Sequence, residues 1–246
     1  MSMNRFEGRR VLVTGAASGI GQATAVRLHD EGAEVVAADV SPVTISGERI
    51  TAVHLDVADE AEVNEVVGGL DPLDVLINAA GILRASHTHE TTLEVWNQVI
   101  GINLTGTFLV CKAALPALCA SGRGVVCNFS STSARFAHPY MAAYAASKGG
   151  IDAFTHTLSS EYAKSGLRAF NVQPGGIESG ITATTGGMLP ADTDWSLFAK
   201  TSPVLKPNAS GFAGAEVIAN VIAALASDDG AWVTGTDIRI DGGAHG

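Results

Sequence analysis

Seven short runs rich in Val, Ile and Leu recur along the chain, most of them separated by stretches with a helical period. They are "RRVLVTG" (9–15), "AEVVAAD" (33–39), "RITAVHLD" (49–56), "LDVLINAAG" (73–81), "GVVCNFSS" (124–131), "LRAFNVQPGG" (167–176) and "TDIRIDGG" (236–243). Their apolar residues are mostly consecutive rather than alternating, the pattern of strands covered on both faces. Helical patterns run through 19–31, 60–68, 91–120, 141–165 and 212–226. This alternation predicts an α/β fold, a doubly wound parallel sheet with helices on both faces joined by right-handed crossovers. A chain of 246 residues can bury one large core, and no linker, repeat or low-complexity block divides it, so residues 1–246 are read as one domain.

Local signals agree with that reading. Thr91 and Glu94 have the spacing of a capping box opening the long helix that carries Trp96. "ASG" (120–122) and "KSG" (164–166) place a glycine just past the last turn of two helices. Pro116 is expected to kink the first of them. The connection from Asp39 to Arg49, "DVSPVTISGER", is too short and irregular for a crossover helix and reads as a loop.

The formal charge of −10, with no basic stripe to offset it, argues against a nucleic-acid partner. Three cysteines, Cys111, Cys119 and Cys127, form no zinc-type pair and read as reduced thiols. No stretch reads as a membrane span, and "MSMNRFEGRR" lacks the apolar centre of a signal peptide, so a cytoplasmic location is expected. His87 and His89 in "SHTHE" have no further ligand cluster beside them and are read as part of a loop, with no metal expected.

"TGAASGIG" (14–21) follows the first strand and opens the first helix. Gly15, Gly19 and Gly21 are spaced G-x-x-x-G-x-G rather than G-x-G-x-x-G, yet the physical logic is the same. Glycine permits a tight turn and close backbone approach to a pyrophosphate, and the helix N-terminus supplies amide donors and a positive dipole end. Asp39 ends the second strand, where an acid can bind a ribose 2′-hydroxyl. A carboxylate there would repel a 2′-phosphate, and the glycine loop offers Ser18 rather than a Lys or Arg. NAD is therefore expected in preference to NADP.

In "YAASK" (144–148) a phenol and an ammonium stand at i and i+4, on one face of a helix. A free tyrosine has a pKa of about 10 and is a poor proton shuttle at neutral pH. A neighbouring positive charge favours the phenolate, so Lys148 is expected to lower the pKa of Tyr144. Ala145 and Ala146 leave room for a cofactor. Ser131 ends the fifth strand at the carboxyl edge, where its hydroxyl can stabilise negative charge developing on a substrate oxygen.

"TGAASGIG", "NAAG" (78–81), "NLTG" (103–106), Ser131 and "YAASK" occur in one order at compatible spacings. Together they closely resemble the short-chain dehydrogenase/reductase family over essentially the whole chain, including "PGGIES" (174–179) and "VTGTDIRIDGG" (233–243). The resemblance implies a Rossmann-type sheet of about seven strands and hydride transfer between a nicotinamide and an alcohol or carbonyl carbon. By position it makes Asn103, Ser131, Tyr144 and Lys148 catalytic, with Asn103 at a helix distortion that holds a water in a proton relay. It also implies a cofactor site of Gly15, Ser18, Gly19, Ile20, Gly21, Asp39, Asp56, Val57, Asn78, Ala79, Gly81, Tyr144, Lys148, Pro174, Gly175, Ile177 and Ser179. Lys148 is further implied to bond the nicotinamide ribose. The chain departs from the family pattern at Ala79, where an amide is usual, at Ala134, where glycine often stands, and at Ser179, where threonine is usual. None of these removes a reacting group.

Leu83, Ser133, Phe136, His138 and Trp195 are candidates to face a small alcohol or ketone substrate, His138 being equally well read as exposed. Segment 180–205 carries Gly-Gly, two prolines, Met188, Leu189, Trp195 and Phe198, and suits a lid over the site. The apolar faces of the helices at 91–120 and 141–165 look like the family's subunit contacts, implying a homotetramer. Two alternatives stand beside an NAD-dependent alcohol dehydrogenase: an NADPH-dependent carbonyl reductase similar to acyl-carrier ketoreductases, and a non-catalytic nucleotide-binding redox sensor. Asp39 argues against the first, and the joint presence of Tyr144 and Lys148 against the second.

Overall fold

A computed structural model describes residues 4–198, 201–205 and 211–245. It has seven parallel strands: β1 (Arg10–Thr14), β2 (Glu34–Asp39), β3 (Ile50–His54), β4 (Val75–Asn78), β5 (Val125–Phe129), β6 (Arg168–Pro174) and β7 (Asp237–Ile240). Their order in the sheet is β3-β2-β1-β4-β5-β6-β7. The helices are α1 (Gly19–Asp30), α2 (Glu60–Val66), α3 (Leu93–Ile100), α4 (Gly106–Ala120), α5 (Ala142–Glu161), α6 (Gly180–Met188) and α7 (Ala215–Ala226). The expected doubly wound sheet is therefore present. Strand order reverses between β1 and β4, which opens a crevice at the carboxyl edge.

Consecutive apolar residues in one strand serve two cores. Val11 and Val13 join Phe6, Leu28, Phe170 and Ile218 on the face covered by α1 and α7. Leu12 points the other way, to Leu76, Val110, Leu118 and Leu158 beneath α2, α4 and α5. Side chains of period two with both faces covered leave no polar positions to interrupt the run. The Asp39–Arg49 connection contains no helix, and its Val43 and Ile45 pack against the first of these cores.

A row of amides crosses the second half of the sheet in register: Asn78 beside Asn128, Asn128 beside Asn171, Asn171 beside Asp237. Asn78 Nδ2 donates to Asn128 Oδ1 (2.9 Å) and Asn128 Nδ2 to Thr155 Oγ1 (2.8 Å). Thr155 Oγ1 donates to Asn171 Oδ1 (2.7 Å), and Asn171 Nδ2 to Asp237 Oδ1 (2.8 Å). Such a row is tolerated in a buried sheet because most of its polar atoms find partners within it; the exception is Asn78 Oδ1, which is buried without one. It ties α5, which carries Tyr144 and Lys148, to four strands.

Several expectations need correction. The pattern at 91–120 is not one regular helix: a π-helical turn at Gly101–Thr105 separates α3 from α4. The cap of α3 is Thr92, whose hydroxyl accepts from Val95 N, while Thr91 bonds Ser86 and the His87 carbonyl. Two threonines in succession made the choice ambiguous in sequence. Leu93–Ala120 is, by length and composition, apolar enough to cross a membrane, contrary to the sequence reading. In the structure Val99, Val110, Cys111, Ala114 and Leu118 of this stretch are fully buried. Segment 180–205, read as a lid, begins with α6. Gly122 and Gly166 do take up left-handed conformations after their helices, at φ +66° and +77°.

Candidate active site

A cavity of about 810 Å³ lies along the carboxyl edge of the sheet. At one end is the turn from β1 into α1. Gly15 has φ +69°, and a Cβ on it would sit 2.7 Å from the backbone of Ala79 and Ala80, so the turn presses directly against the end of β4. Ser18 stands at the N-cap of α1 yet makes no side-chain cap bond, and no acidic residue occupies the helix's first turn. The amide-rich, positive end of α1 therefore faces the cavity without a compensating carboxylate on the helix itself.

Asp39 closes this end. Its carboxylate accepts from Ala17 N (3.0 Å) and Ser41 N (2.8 Å), which fixes it beside the glycine turn. Gly15, Ser18, Gly19, Ile20, Gly21, Asp39, Asp56 and Val57 all line the cavity, as do Ala79, Gly81, Pro174, Gly175, Ile177 and Ser179. Lys148 is the only Lys or Arg among the described residues that line it. A phosphate beside Asp39 would find a negative neighbour and no cation. Asn78 does not line the cavity: its amide belongs to the buried row described above, bonding Cys111 Sγ and Asn128. In a period-two strand the residue at this register points into the helical layer.

At the centre of the cavity the end of β5 meets the first turns of α5. Ser131 Oγ accepts from Ser133 N (3.1 Å), opening a short 3₁₀ turn at Thr132–Ala134. Tyr144 and Lys148 share one face of α5, and both line the cavity with Ser131. Lys148 Nζ donates to the Phe129 carbonyl (2.7 Å) and lies 5.5 Å from the centre of the Tyr144 ring. Only 4% of Lys148 is exposed. Burial lowers its pKa from 10.5 to about 8, partly offset by the carboxylate of Asp152 one turn further on.

The expected acidification of Tyr144 is not produced by these groups alone. Burial raises the phenol above its ordinary value, and a hydrogen bond with Ser131 opposes the rise. The ammonium of Lys148 donates to the Phe129 carbonyl and stands over the Tyr144 ring, 5.5 Å from its centre. A spacing of four residues brings the two side chains together, but it does not decide where the charge points.

Asn103 lies in the π-helical turn, fully buried and outside the cavity lining. Its Oδ1 accepts from Ile82 N (2.8 Å), and its Nδ2 donates to the Ile82 carbonyl (2.9 Å) and to Ser147 Oγ (3.1 Å). The side chain thus couples the loop after β4 to α5. The turn lets it do so: one extra residue in the helical ladder redirects a side chain that a regular helix would place elsewhere. Gly81 completes the junction, since a Cβ there would approach Asn103 Oδ1 at 3.2 Å and Lys148 Nζ at 3.6 Å.

The other end of the cavity is mostly apolar. Leu83, His138 and Trp195 line it; Ser133 does not, being turned inward with its hydroxyl unpartnered. Thr132 takes its place in the lining. His138 Nε2 pairs with Thr132 Oγ1 (3.2 Å), and burial with the nearby His245 lowers its pKa to about 4, so it is neutral rather than an exposed charge. Phe136 instead stacks on the ring of His245 (4.1 Å). Met141, which the sequence reading overlooked, also lines the cavity. Its spacing of three and seven residues from Tyr144 and Lys148 is the helical signal that marks it.

Residues 180–198 and Thr201 contribute the lining over this end. Ser179 caps α6 in a reciprocal pair with Thr182, and Thr185, Leu189, Trp195 and Phe198 line the cavity from above. Ala199 and Lys200, within the expected lid, lie outside the described residues. His87 pairs with Asp192 (2.9 Å), and among the described residues no cluster of His, Cys, Asp and Glu could hold a metal.

Comparison with known proteins agrees with the architecture. A family model described as short chain dehydrogenase matches residues 9–188. The chain is 35% identical over 257 residues to the 2,5-dichloro-2,5-cyclohexadiene-1,4-diol dehydrogenase LinX of Sphingobium indicum, covering 98% of this chain and 97% of that one. It is 34% identical over 252 residues to the 3-oxoacyl-[acyl-carrier-protein] reductase FabG of Thermotoga maritima, covering 97% and 98%. A crystal structure of a putative gluconate dehydrogenase from Agrobacterium tumefaciens superposes with a TM-score of 0.86 at 26% identity, covering 99% of this chain and 98% of that one.

Proposed function

The chain belongs to the short-chain dehydrogenase family, and from that premise we propose that it is an NAD-dependent dehydrogenase interconverting a secondary alcohol and its ketone. One observation carries the reading. Ser131, Tyr144 and Lys148 meet in the wall of a single cavity whose far end holds Asp39 and the glycine turn. The residues fit a dinucleotide: the turn has no room for a Cβ at Gly15, Ser18 is unused as a cap, and Asp39 is fixed where a ribose diol would donate to it.

The bound nicotinamide would supply the hydride acceptor for alcohol oxidation and the donor for ketone reduction. Tyr144 holds the proton that leaves or joins the substrate oxygen. With its pKa raised, it stands ready as an acid for reduction. Oxidation needs the phenolate, which positive charge beside the ring stabilises, so the oxidative rate should rise with pH. Ser131 donates to the substrate oxygen and stabilises negative charge developing there. Lys148 and Asn103 hold the junction rigid, Asn103 as a positioning group through Ile82 and Ser147.

The substrate half, lined by Leu83, Met141, Leu189, Trp195 and Phe198 with His138 as a neutral polar point, suits an apolar body with a second oxygen. The likeness to LinX, which is named for a cyclic diol, supports the same class. The likeness to FabG supports an acyl-carrier reductase as the second reading, which Asp39 disfavours by excluding a 2′-phosphate. Buried Cys111 and Cys127, whose thiols burial pushes up to about 12 and further, suit a reducing cytoplasm. A groove between α4 and α5, where Phe108 stands half exposed beside Phe154, suits the subunit contacts of a homotetramer.

The test is a panel of secondary alcohols with NAD⁺ and with NADP⁺, followed as reduced cofactor at several pH values. Turnover with NAD⁺ is expected, lost by a factor of about 10³ in Tyr144→Phe while NADH binding remains. Equal turnover by that variant would reject Tyr144 as the proton donor, and preference for NADP⁺ would favour the second reading.

A further inference from the structure

Among the described residues, Tyr140 is the only non-glycine residue in the left-handed region, at φ +67°. A bulky aromatic residue is disfavoured there, and a chain keeps such an outlier only where its surroundings overdetermine it. The surroundings of Tyr140 do so from three sides. Its carbonyl accepts from Ser86 N (2.9 Å) in the loop after β4. Its hydroxyl accepts from Asp194 N (3.0 Å) in the segment above the cavity. Its ring stacks on Phe198 (6.1 Å between centroids) and meets the edge of His87 (5.2 Å).

Tyr140 itself does not line the cavity. Its contacts do. Phe198 and Trp195 line the substrate end and lie against each other at 5.7 Å. Asp194 opens the short turn Trp195–Phe198, its carboxylate accepting from Ser196 N (2.9 Å), so the amide that Tyr140 holds belongs to the residue that caps the aromatic pair. The neighbouring His87–Asp192 pair joins the same two segments, but three quarters of Asp192 is exposed, and an exposed ion pair adds little. The ring stack and the amide bond of Tyr140 are the stronger fastening.

We propose that Tyr140 is a positioning residue for substrate specificity: it clasps Asp194 and Phe198 so that Trp195 and Phe198 form a fixed aromatic wall, which selects substrates with an apolar ring. The inference rests on the dehydrogenase reading for its kinetic consequence, though not for the clasp itself. A ring substrate needs the wall in place; a small acyclic alcohol does not reach it. Tyr140 should therefore act on KM for ring substrates and leave kcat and the small substrate unchanged.

The full chain is compared with Tyr140→Gly and Tyr140→Phe by kinetics on cyclohexanol and 2-propanol with NAD⁺, and by hydrogen exchange of the peptide covering 189–198. Glycine accepts the left-handed backbone without strain, which offsets part of the lost ring and amide contacts, so the first variant should fold with a melting temperature within about 4 °C of the wild type. It should raise KM for cyclohexanol about tenfold while kcat and 2-propanol stay within about twofold, the effect of losing one ring contact. Exchange in 189–198 should rise about tenfold, with the strands unaffected, as in opening of one local unit. Tyr140→Phe keeps the stack and loses the amide bond, so both KM for cyclohexanol and exchange in 189–198 should fall between those of the wild type and Tyr140→Gly. Unchanged exchange in Tyr140→Gly, or equal losses on both alcohols, would overturn the proposal. Faster exchange in a protein that oxidises neither alcohol would sustain the clasp and its control of the wall while overturning the ring selection and counting against the dehydrogenase reading.

Discussion

Replacing Lys148 by methionine should make the protein more stable at neutral pH even as it abolishes turnover. Burial holds the Lys148 pKa at about 8 against 10.5 for the free side chain. That depression corresponds to about 3 kcal/mol of destabilisation at pH 7, at 1.36 kcal/mol per unit. With 4% of the residue exposed, solvent screening reduces this little. Methionine has similar length and no charge. Its cost is the unpartnered Phe129 carbonyl, about 1 kcal/mol. The net gain is about 2 kcal/mol, or roughly 4–8 °C in melting temperature for a chain of this size.

The gain depends on pH in a defined direction. Between the folded and unfolded pKa values, about 8 and 10.5, the unfolded lysine binds more protons than the folded one, so wild-type stability rises with pH across that window. The difference between the two proteins should be largest below pH 8 and shrink towards pH 10.5. Groups that titrate alike in both proteins cancel in that difference. Calorimetry at pH 7 and pH 9.5 is the assay. A variant less stable than the wild type at pH 7, or a gap independent of pH, would refute the claim that Lys148 is held in place against a desolvation penalty.

Asp39→Ala should weaken NAD⁺ binding by about 10- to 100-fold, the loss of a charge-assisted hydrogen bond. It should also relax discrimination against NADP⁺, and an unchanged ratio of the two affinities by titration would exclude Asp39 as the selector. Gly15→Ala forces a Cβ to 2.7 Å from the Ala79 and Ala80 backbone at φ +69°. Left-handed strain and overpacking together should cost about 2–5 kcal/mol. A melting temperature within about 2 °C of wild type would show that the turn can move.

Those variants probe groups whose placement was visible to very different degrees in the amino-acid order. The sheet was readable because Val11, Leu12 and Val13 can be consecutive only where both faces of a strand are covered. Asp39 was readable from its place at a strand end about 20 residues after the glycine turn. Asn78 was misjudged: a motif carries position, but strand register turns its amide towards Asn128. Ser133 and Thr132 exchanged roles for a similar reason, since a 3₁₀ turn at Thr132–Ala134 decides which hydroxyl faces the cavity. Thr92 displaced Thr91 as cap because helix starts are set by backbone geometry that adjacent threonines share equally well in sequence.

Local order along the chain determined which elements form and which reacting groups they carry, because hydrophobic period, turn residues and helical spacing are short-range properties. Tertiary structure alone decided the charge state of Lys148, the unacidified phenol of Tyr144, the π-helical turn that aims Asn103 at Ile82, and the clasp of Tyr140 on Asp194 and Phe198. Each depends on burial or on a partner far along the chain, and desolvation and cross-segment contacts exist only once distant residues have been brought together.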